Sequence, residues 1–184
     1  MKAIVSIGSN ILPDENVKKS VMLLARAVNV RRLSAVYRTE PEGRPEQPMY
    51  YNCVAAIETD LMPEQLHYTV LRTIEDRLGR VRTGDKFAAR PIDLDLILCS
   101  NGTPDGEILG VSESELLSHP YLAVPLAEIE PGLLLREAGL PLTEVVKTIP
   151  VNAVDKLAEY TDKLQQEIAI MNATKGRVIC SSGH

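Results

Sequence analysis

The chain has 184 residues, a length that fits one domain with a modest extension. Its net charge is −5, and only 4% of its residues are aromatic, with no Trp. These values argue against a basic nucleic-acid or anionic-membrane surface and against a platform that binds single strands by stacking. No apolar run approaches the length of about 18 residues that a membrane span needs, and the first apolar run is too short for a signal peptide.

The three cysteines, Cys53, Cys99 and Cys180, are widely spaced and odd in number. Such a set predicts neither a disulfide framework nor a zinc site of the CxxC type. Cys53 and Cys99 lie in apolar runs, so we expect both to be small buried hydrophobes. Free thiols and the lack of a signal peptide together predict a cytoplasmic location.

The first third of the chain alternates between strand and helix patterns. A β-branched run over residues 3–7 predicts a buried strand, and apolar residues at helical spacing predict a helix over residues 14–28. Further strands are predicted over residues 30–37 and 50–57. The segment between them, residues 40–48, contains three prolines and a glycine and is predicted to be a loop.

A second helix is predicted to begin at Pro63 and to end before Gly79, because Pro is favoured in a first helical turn and Gly just beyond a last turn. A charged loop and a strand over residues 91–98 follow. Apolar spacing then predicts a short helix over residues 124–129 and a final helix over residues 153–171.

The element order of strand, helix, strand, strand, helix, strand predicts an α+β, ferredoxin-like sandwich. We expect a mainly antiparallel sheet with helices on one face. Residues 1–150 are predicted to form the main domain, and residues 151–184 a C-terminal helical extension and tail. The final helix is expected to dock on its own chain, which predicts a monomer; pairing with a partner chain, which predicts a dimer, is the alternative.

Two carboxylates, Asp93 and Asp95, lie two residues apart in the predicted strand over residues 91–98. In a strand such residues point to the same face, with Cα atoms about 6.5–7 Å apart, while Leu94 and Leu96 point into the core. Mg²⁺ binds to one or two carboxylates together with phosphate oxygens and water, so the pair predicts a metal site. A pair of carboxylates on a solvated face is the alternative.

Five cations precede this pair within a short stretch that contains one acidic residue, Asp85, between its ends. Cations beside a metal site bind polyphosphate and neutralise charge during phosphoryl transfer. A solvated charged loop is the alternative for this stretch when it is considered alone. The sequence contains no P-loop, so a nucleotide would bind on another scaffold. The five cations are Arg77, Arg80, Arg82, Lys86 and Arg90.

From residue 1 to about 150, the chain resembles the 6-hydroxymethyl-7,8-dihydropterin pyrophosphokinase family. The signature that carries the resemblance is Leu78-Gly79-Arg80-Val81-Arg82, followed by Arg90-Pro91-Ile92-Asp93-Leu94-Asp95. Other stretches match in the same order and spacing: Gly8-Ser9-Asn10, Tyr37-Arg38-Thr39, residues 47–52, Ile74-Glu75, His119-Pro120 and residues 125–129.

The resemblance implies a folate-pathway enzyme that transfers the diphosphate of ATP to the hydroxymethyl group of a reduced pterin and releases AMP. It implies ATP as co-substrate and two Mg²⁺ ions that bridge Asp93 and Asp95 to the ATP phosphates. It also implies the ferredoxin-like fold that the element order predicts.

The same resemblance assigns roles to other residues. Arg80 and Arg90 are expected to stabilise charge on the transferred group. Tyr50 is expected to stack on the pterin, and Asn52 to hydrogen-bond its polar edge. The expected ATP contacts are Glu75, Arg82, Lys86, Leu96 and His119. The expected pterin contacts are Thr39, Glu40, Glu42, Tyr50, Asn52 and Phe87.

The chain departs from the family pattern in three places. Phe87 and Ala88-Ala89 stand where the family usually has Trp and a Gly-Pro pair. The segment of residues 121–124 is shorter than usual, and Tyr121 is the candidate for the second aromatic that stacks on the pterin. Residues 151–184 exceed the usual family length.

Two other interpretations remain open from the sequence. The short segment of residues 121–124 would suit a related phosphotransferase that acts on a different alcohol. A nucleotide-binding module that has lost turnover is the non-catalytic alternative. Retention of both aspartates and of Arg80 and Arg90 argues against that alternative.

Overall fold

An antiparallel sheet forms the centre of the fold. The computed structural model of the chain describes residues 1–85, 87–100, 107–150 and 153–181, with the backbone alone for 107–109 and 175–181. The strands of the sheet are β1 (Lys2–Ser9), β2 (Asn29–Leu33), β3 (Tyr37–Thr39), β4 (Tyr50–Glu58), β5 (Asp93–Ser100) and β6 (Glu107–Leu109), together with β9 (Asp155–Lys156). A separate small hairpin consists of β7 (Leu134–Leu135) and β8 (Leu140–Pro141).

Helices connect these strands and cover them. A π-helical segment, Leu66–Leu71, joins α2 and α3 into one continuous helix, a feature that the apolar spacing did not predict. None of the helices within the described ranges is long and apolar enough to cross a bilayer. The helices are α1 (Pro13–Ala27), α2 (Pro63–Gln65), α3 (Arg72–Arg77), α4 (Glu113–Ser118), α5 (Pro120–Ile129), α6 (Leu142–Val146) and α7 (Ala158–Ser181).

The strand order is β6-β5-β1-β4-β3-β9, and β2 also pairs with β4. The helix α1 connects β1 to β2, and the continuous α2–α3 helix connects β4 to β5. This order confirms the predicted ferredoxin-like α+β fold. The strands β6 and β9 extend the sheet at its two edges.

Helices cover both faces of the sheet, so the expectation of helices on one face is wrong. Val5 and Ile7 of β1 belong to a core that includes residues of α1, α3 and α7. Ile4 of β1 and Val54 of β4 belong to a second core, formed with α5 and α6. Successive residues of these strands are apolar, and neighbours in a strand face opposite sides. Both faces therefore have to be buried.

The single strand predicted over residues 30–37 is interrupted between β2 and β3. The backbone N–H groups of Ala35 and Val36 donate to side chains of α5 and α7 instead of pairing with β4. Both acceptors, Glu128 and Thr161, lie far along the chain. A local pattern therefore could not locate this interruption.

The last predicted helix begins later than its apolar spacing suggests. Residues Asp155 and Lys156 form β9, and α7 begins at Ala158. Leu164 and Ile168 of α7 are buried in the first core, so this helix docks on its own chain as expected. The short helix predicted over residues 124–129 also has a different start, because α5 begins at Pro120.

We predict that truncating Leu164 weakens the fold whereas truncating a neighbour on α7 does not. Leu164 is 2% exposed, so Leu164→Ala is expected to lower the free energy of unfolding by about 2–5 kcal/mol. Ile170 is 66% exposed, so Ile170→Ala is expected to change it by less than about 0.5 kcal/mol. Urea denaturation of both variants tests this. Equal effects would contradict the docking of α7 on its own chain.

Candidate active site

A cavity of about 450 Å³ opens on the sheet face that carries α5. Its floor includes Ser6 and Gly8 of the central strand β1. Gly8 lies opposite Asn52 of β4 on one side and opposite Asp93 of β5 on the other. Residues directly opposite each other share a face of the sheet. The cavity therefore brings the predicted pterin amide and the predicted metal carboxylate to the two sides of one glycine.

Gly8 is required by the close approach of the Asn52 side chain. A Cβ atom at position 8 would lie 2.8 Å from the Asn52 Oδ1 atom, closer than real Cβ contacts allow. The Asn52 Nδ2 atom donates a hydrogen bond of 2.8 Å to the Thr39 Oγ1 atom. The amide is thus fixed by Thr39 and lies directly beside Gly8.

The β3–β4 side of the cavity also carries Tyr50 and the acidic residues Glu40 and Glu42. Burial raises the pKa of the Tyr50 hydroxyl, so this phenol stays neutral and can donate a hydrogen bond. Together with Asn52 and Thr39, this wall offers an aromatic ring and amide and hydroxyl groups. Such a combination suits a flat ligand with donors and acceptors on its rim.

The β5 side of the cavity contains a charge cluster centred on Asp93. The Asp93 Oδ1 atom accepts from Arg80, and its Oδ2 atom accepts from the Arg90 Nη1 atom at 2.5 Å. Arg80 and Arg90 are thus held by one carboxylate. Two guanidinium groups held in place beside a cavity are suited to binding phosphate oxygens.

Glu75 anchors this cluster from within the protein. Its side chain is buried, and its Oε1 atom accepts from Arg80 and from the Leu94 backbone N–H at 2.9 Å. Its Oε2 atom accepts from the Arg82 Nη2 atom at 2.5 Å. Both carboxylate oxygens of Glu75 therefore have partners in the protein, and Glu75 fixes two arginines next to β5.

Asp95 differs from Asp93 in having no direct cation partner among the residues that the structure describes. The side chain faces the open cavity, where water reaches it, but the surrounding protein displaces much of the bulk solvent. This burial and the neighbouring Asp93 carboxylate raise the pKa of Asp95 to about 6. Asp93 is already paired with two arginines, so Asp95 is the carboxylate whose charge a divalent cation would offset. The carboxylate oxygens of both residues are donors of the kind that Mg²⁺ binds.

His119 lies where α4 ends and α5 begins, and it lines the cavity with Tyr121. Its Nδ1 atom is 2.6 Å from the backbone oxygen of Glu115, so Nδ1 donates there. Its Nε2 atom lies 3.4 Å from the Glu42 carboxylate. Burial raises the pKa of the Tyr121 hydroxyl to about 12, so Tyr121 remains neutral.

The loop of residues 40–48 and the arginine-rich loop, of which residues 80–85 and 87–90 are described, contact each other across the cavity mouth. Arg44 pairs with Asp85 at 2.6 Å, and the Gln47 Nε2 atom donates to the Phe87 backbone oxygen at 2.8 Å. A Cβ atom on Gly43, whose φ is +70°, would lie 3.2 Å from the Phe87 ring. These contacts place Phe87 over the loop of residues 40–48.

Asn10 ties both loops to the end of β1. Its Nδ2 atom donates to the Gln47 Oε1 atom at 3.0 Å, and its Oδ1 atom accepts from the Arg90 backbone N–H at 2.8 Å. The Asn10 side chain is fully buried. The Gly8-Ser9-Asn10 stretch therefore supplies both part of the cavity floor and the anchor for its mouth.

Most of the residues predicted for the site line this one cavity. Glu75, Arg80 and Arg82 lie next to it, with Arg80 in direct contact with Asp93. Leu96 packs against the first core on the opposite face, so only its backbone is available to a ligand from this side. Lys86 lies outside the described residues. The predicted residues that line the cavity are Thr39, Glu40, Glu42, Tyr50, Asn52, Phe87, Arg90, Asp93, Asp95 and His119.

Sequence reasoning missed five of the lining residues, namely Ser6, Ile7, Cys53, Glu115 and Leu122. Ser6 could have been found, because it lies two residues before Gly8 and shares its face of β1. Glu115 carried no signal, since its place depends on how α4 and α5 pack beside the sheet. Tyr121, the candidate stand-in for an aromatic, does line the cavity.

Comparisons with known proteins agree with the sequence resemblance. Residues 4–131 match the family described as 7,8-dihydro-6-hydroxymethylpterin-pyrophosphokinase. The chain is 32% identical, over 84% of its length and 97% of the other protein, to the 2-amino-4-hydroxy-6-hydroxymethyldihydropteridine pyrophosphokinase of Haemophilus influenzae. Proteins with the same name from Pseudomonas aeruginosa and Synechocystis sp. are each 31% identical over 83% of this chain, and the matches cover 94% and 78% of those proteins.

We predict a pH-dependent gain in stability for Asp95→Asn without divalent cations. Between its ordinary value of 3.8 and its raised pKa of about 6, Asp95 binds more protons in the folded state than in the unfolded state. Its contribution to the free energy of unfolding therefore falls as pH rises through this window. The advantage of Asp95→Asn over the wild type should be small near pH 4 and should reach a plateau above about pH 7.

Urea denaturation in the presence of a chelator measures this difference, with the exposed Asp60→Asn as the control. An advantage that is constant from pH 4 to pH 8 would contradict the raised pKa of Asp95.

Proposed function

The chain belongs to the 7,8-dihydro-6-hydroxymethylpterin pyrophosphokinase family, and from this premise we propose how its cavity performs the reaction. The enzyme transfers diphosphate from ATP to the hydroxymethyl group of 6-hydroxymethyl-7,8-dihydropterin in folate synthesis. A new bond forms between the hydroxymethyl oxygen and the β-phosphorus of ATP. The bond from that phosphorus to the α-phosphate bridging oxygen breaks, and AMP leaves.

The main support for the proposal is that one cavity has an aromatic and amide wall at β3–β4 and a charged wall at β5. Asn52 and Asp93 lie on strands that flank β1, and both are opposite Gly8. Two strand spacings separate their Cα atoms by about 10 Å. A pterin held against the β4 wall would thus present its hydroxymethyl group towards phosphates held at the β5 wall.

We assign the pterin to the β3–β4 wall. The ring of Tyr50 offers a stacking surface, and Asn52 and Thr39 offer polar groups for the rim of the pterin. Glu40 and Glu42 complete the pocket, and Phe87 covers it from the arginine-rich loop. Tyr121, which lines the same cavity, takes the place of the second aromatic surface.

We assign the ATP phosphates to the β5 side and the arginine-rich loop. Asp93 and Asp95 would hold Mg²⁺, two ions in this proposal, which neutralise phosphate charge when bound. Arg80 and Arg90 donate hydrogen bonds to the Asp93 carboxylate and would stabilise charge that develops on the transferred group. Arg82 is 48% exposed and His119 faces the cavity, so both remain accessible to the nucleotide.

Glu75 takes a different part from the ATP contact that the family resemblance implied. Its oxygens are occupied by Arg80, Arg82 and the Leu94 N–H group. We propose that Glu75 positions these two arginines for the phosphates. Lys86 and the Leu96 backbone stay as proposed ATP contacts on the resemblance alone.

Loop contacts at the cavity mouth would keep water from the reacting phosphates. Arg44, Gln47 and Phe87 join the two loops, and Asn10 fixes both to β1. Water that reached an activated ATP would hydrolyse it, so a covered site favours transfer to the pterin. We propose that the loops take this arrangement when both substrates are bound.

We propose that the chain works as a monomer in a reducing cytoplasm. The apolar side of α7 is occupied by its own core through Leu164 and Ile168. Cys53 and Cys99 are buried free thiols. Among the residues that the structure describes, those that line the cavity all lie before residue 123. This supports residues 1–150 as the catalytic unit and residues 151–184 as an extension.

The direct test is AMP formation from Mg-ATP with and without 6-hydroxymethyl-7,8-dihydropterin, followed by chromatography of both products. The proposal expects AMP and a diphosphorylated pterin in equal amounts, only with the pterin and only with Mg²⁺ present. AMP formation that does not depend on the pterin, or no AMP at all, would overturn the substrate assignment.

We predict that Arg90→Ala lowers kcat far more than it weakens ATP binding. The guanidinium group would stabilise charge that is greatest in the transition state, and losing one such donor costs about 10²–10³ in kcat. Steady-state kinetics and ATP-analogue titration measure the two effects, with exposed Arg136→Ala as the matched control. The reverse pattern would make Arg90 a binding residue only.

We predict that Gly8→Ala raises the KM for the pterin and leaves the KM for ATP close to that of the wild type. The added methyl group would displace the Asn52 amide, which lies 2.8 Å from its position. Steady-state kinetics test this prediction. Gly132→Ala is the control, because no atom of the described residues beyond its chain neighbours lies within 4 Å of that added Cβ. An unchanged KM for the pterin would show that Asn52 does not bind it from this position.

A further inference from the structure

We propose that the C-terminal segment of residues 155–172 positions the pterin wall of the cavity by supporting edge strand β3. This inference rests on the assignment of the pterin to the β3–β4 wall. The family model matches residues 4–131, so residues 155–172 lie outside the matched segment. Thr161 and Asp155 are the positioning residues through which it acts.

The strand β3 has three residues and carries part of the site. On one side it pairs with β4, where Tyr37 lies opposite Asn52 and Thr39 lies opposite Tyr50. The Thr39 Oγ1 atom accepts from the Asn52 amide, so the place of β3 sets the orientation of that amide. A strand this short has few bonds of its own to hold it.

The other side of β3 is held by the extension. In β9, Lys156 lies opposite Tyr37, and Asp155 lies opposite Arg38. Asp155 also pairs with the Arg38 side chain at 2.6 Å. Without β9, β3 would be an open sheet edge next to the cavity.

A buried side chain of α7 completes the backbone bonds just before β3. The Val36 N–H group donates to the Thr161 Oγ1 atom at 2.9 Å, and the Leu157 N–H group donates to the Val36 oxygen at 2.9 Å. Thr161 is 4% exposed. An unpaired backbone N–H group at this depth is destabilising, so the hydroxyl of Thr161 fixes the entry to β3.

Further donors on α7 follow the same edge of the sheet. The Gln165 Nε2 atom donates to the Leu33 oxygen at 2.8 Å, and the Asn172 Nδ2 atom donates to the Val30 oxygen at 2.9 Å. Leu164 and Ile168, between these donors, lie in the first core. The extension is thus fixed both to the core and to the strand that precedes the site.

The test compares the same substitution at two positions of α7. Thr161→Val keeps the side-chain shape and removes the hydroxyl that Val36 uses. Thr174→Val is the matched control, because the Thr174 hydroxyl is exposed and donates only within its own helix, to the Ile170 oxygen. We expect Thr161→Val to raise the KM for the pterin about fivefold, the equivalent of one hydrogen bond. The KM for ATP and both constants of the control should stay within about twofold of the wild type.

An unchanged ratio of the two KM values in Thr161→Val, with a lowered Tm, would overturn the inference and leave the extension a purely structural support. Asp155→Ala is the second variant, since this exposed side chain can be removed without opening the core. It should shift the same ratio in the same direction if Thr161→Val fails to fold, and an unshifted ratio in a folded Asp155→Ala would overturn the inference.

Amide hydrogen exchange separates this inference from the proposed function. Exchange at Tyr37 and Thr39 should be faster in Thr161→Val than in the wild type and in Thr174→Val, with no substrate present. If the wild type forms no AMP with the pterin, the proposed function fails. Hydrogen exchange would then test only whether the C-terminal segment supports β3. Equal exchange in the wild type, Thr161→Val and Thr174→Val would overturn that support.

Discussion

The site depends on the ion pairs and hydrogen bonds that the buried Glu75 carboxylate makes. It fixes Arg80 and Arg82 and binds the Leu94 N–H group at the start of β5. A buried carboxylate persists only when it is paired and hydrogen-bonded, and removing one partner of a buried pair costs about 3–5 kcal/mol. Arg80 in turn holds Asp93 together with Arg90. One charge inside the protein thus orders the groups that are proposed to bind the phosphates.

The central strand β1 joins this charge cluster to the proposed pterin wall of β3 and β4. Gly8 lies between Asn52 and Asp93, and a larger residue there would displace the Asn52 amide. The same strand ends at Asn10, which ties down both loops of the cavity mouth. In the proposed assignment, the two substrates would therefore bind to neighbours of a single strand, and their relative position would follow from the register of the sheet.

Local patterns predicted what depends on neighbours in sequence. The alternation around Asp93 and Asp95 placed both carboxylates on one face, and the element order predicted the ferredoxin-like sheet. Contacts between distant segments had no local signal. The interruption between β2 and β3 depends on Glu128 and Thr161, and the burial of Glu75 depends on arginines in a loop beyond its helix. The packing of helices on both faces of the sheet could have been predicted, because β1 is apolar at successive positions.

The kcat for pterin-dependent AMP formation in Glu75→Gln is the most direct test of the claim that Glu75 orders the site. The amide in this variant would keep an oxygen for the Leu94 N–H group but lose the charge that holds Arg80 and Arg82. We expect a folded protein whose kcat falls about 10²-fold, while exposed Glu64→Gln behaves as the wild type. A folded Glu75→Gln enzyme with the kcat of the wild type would contradict it.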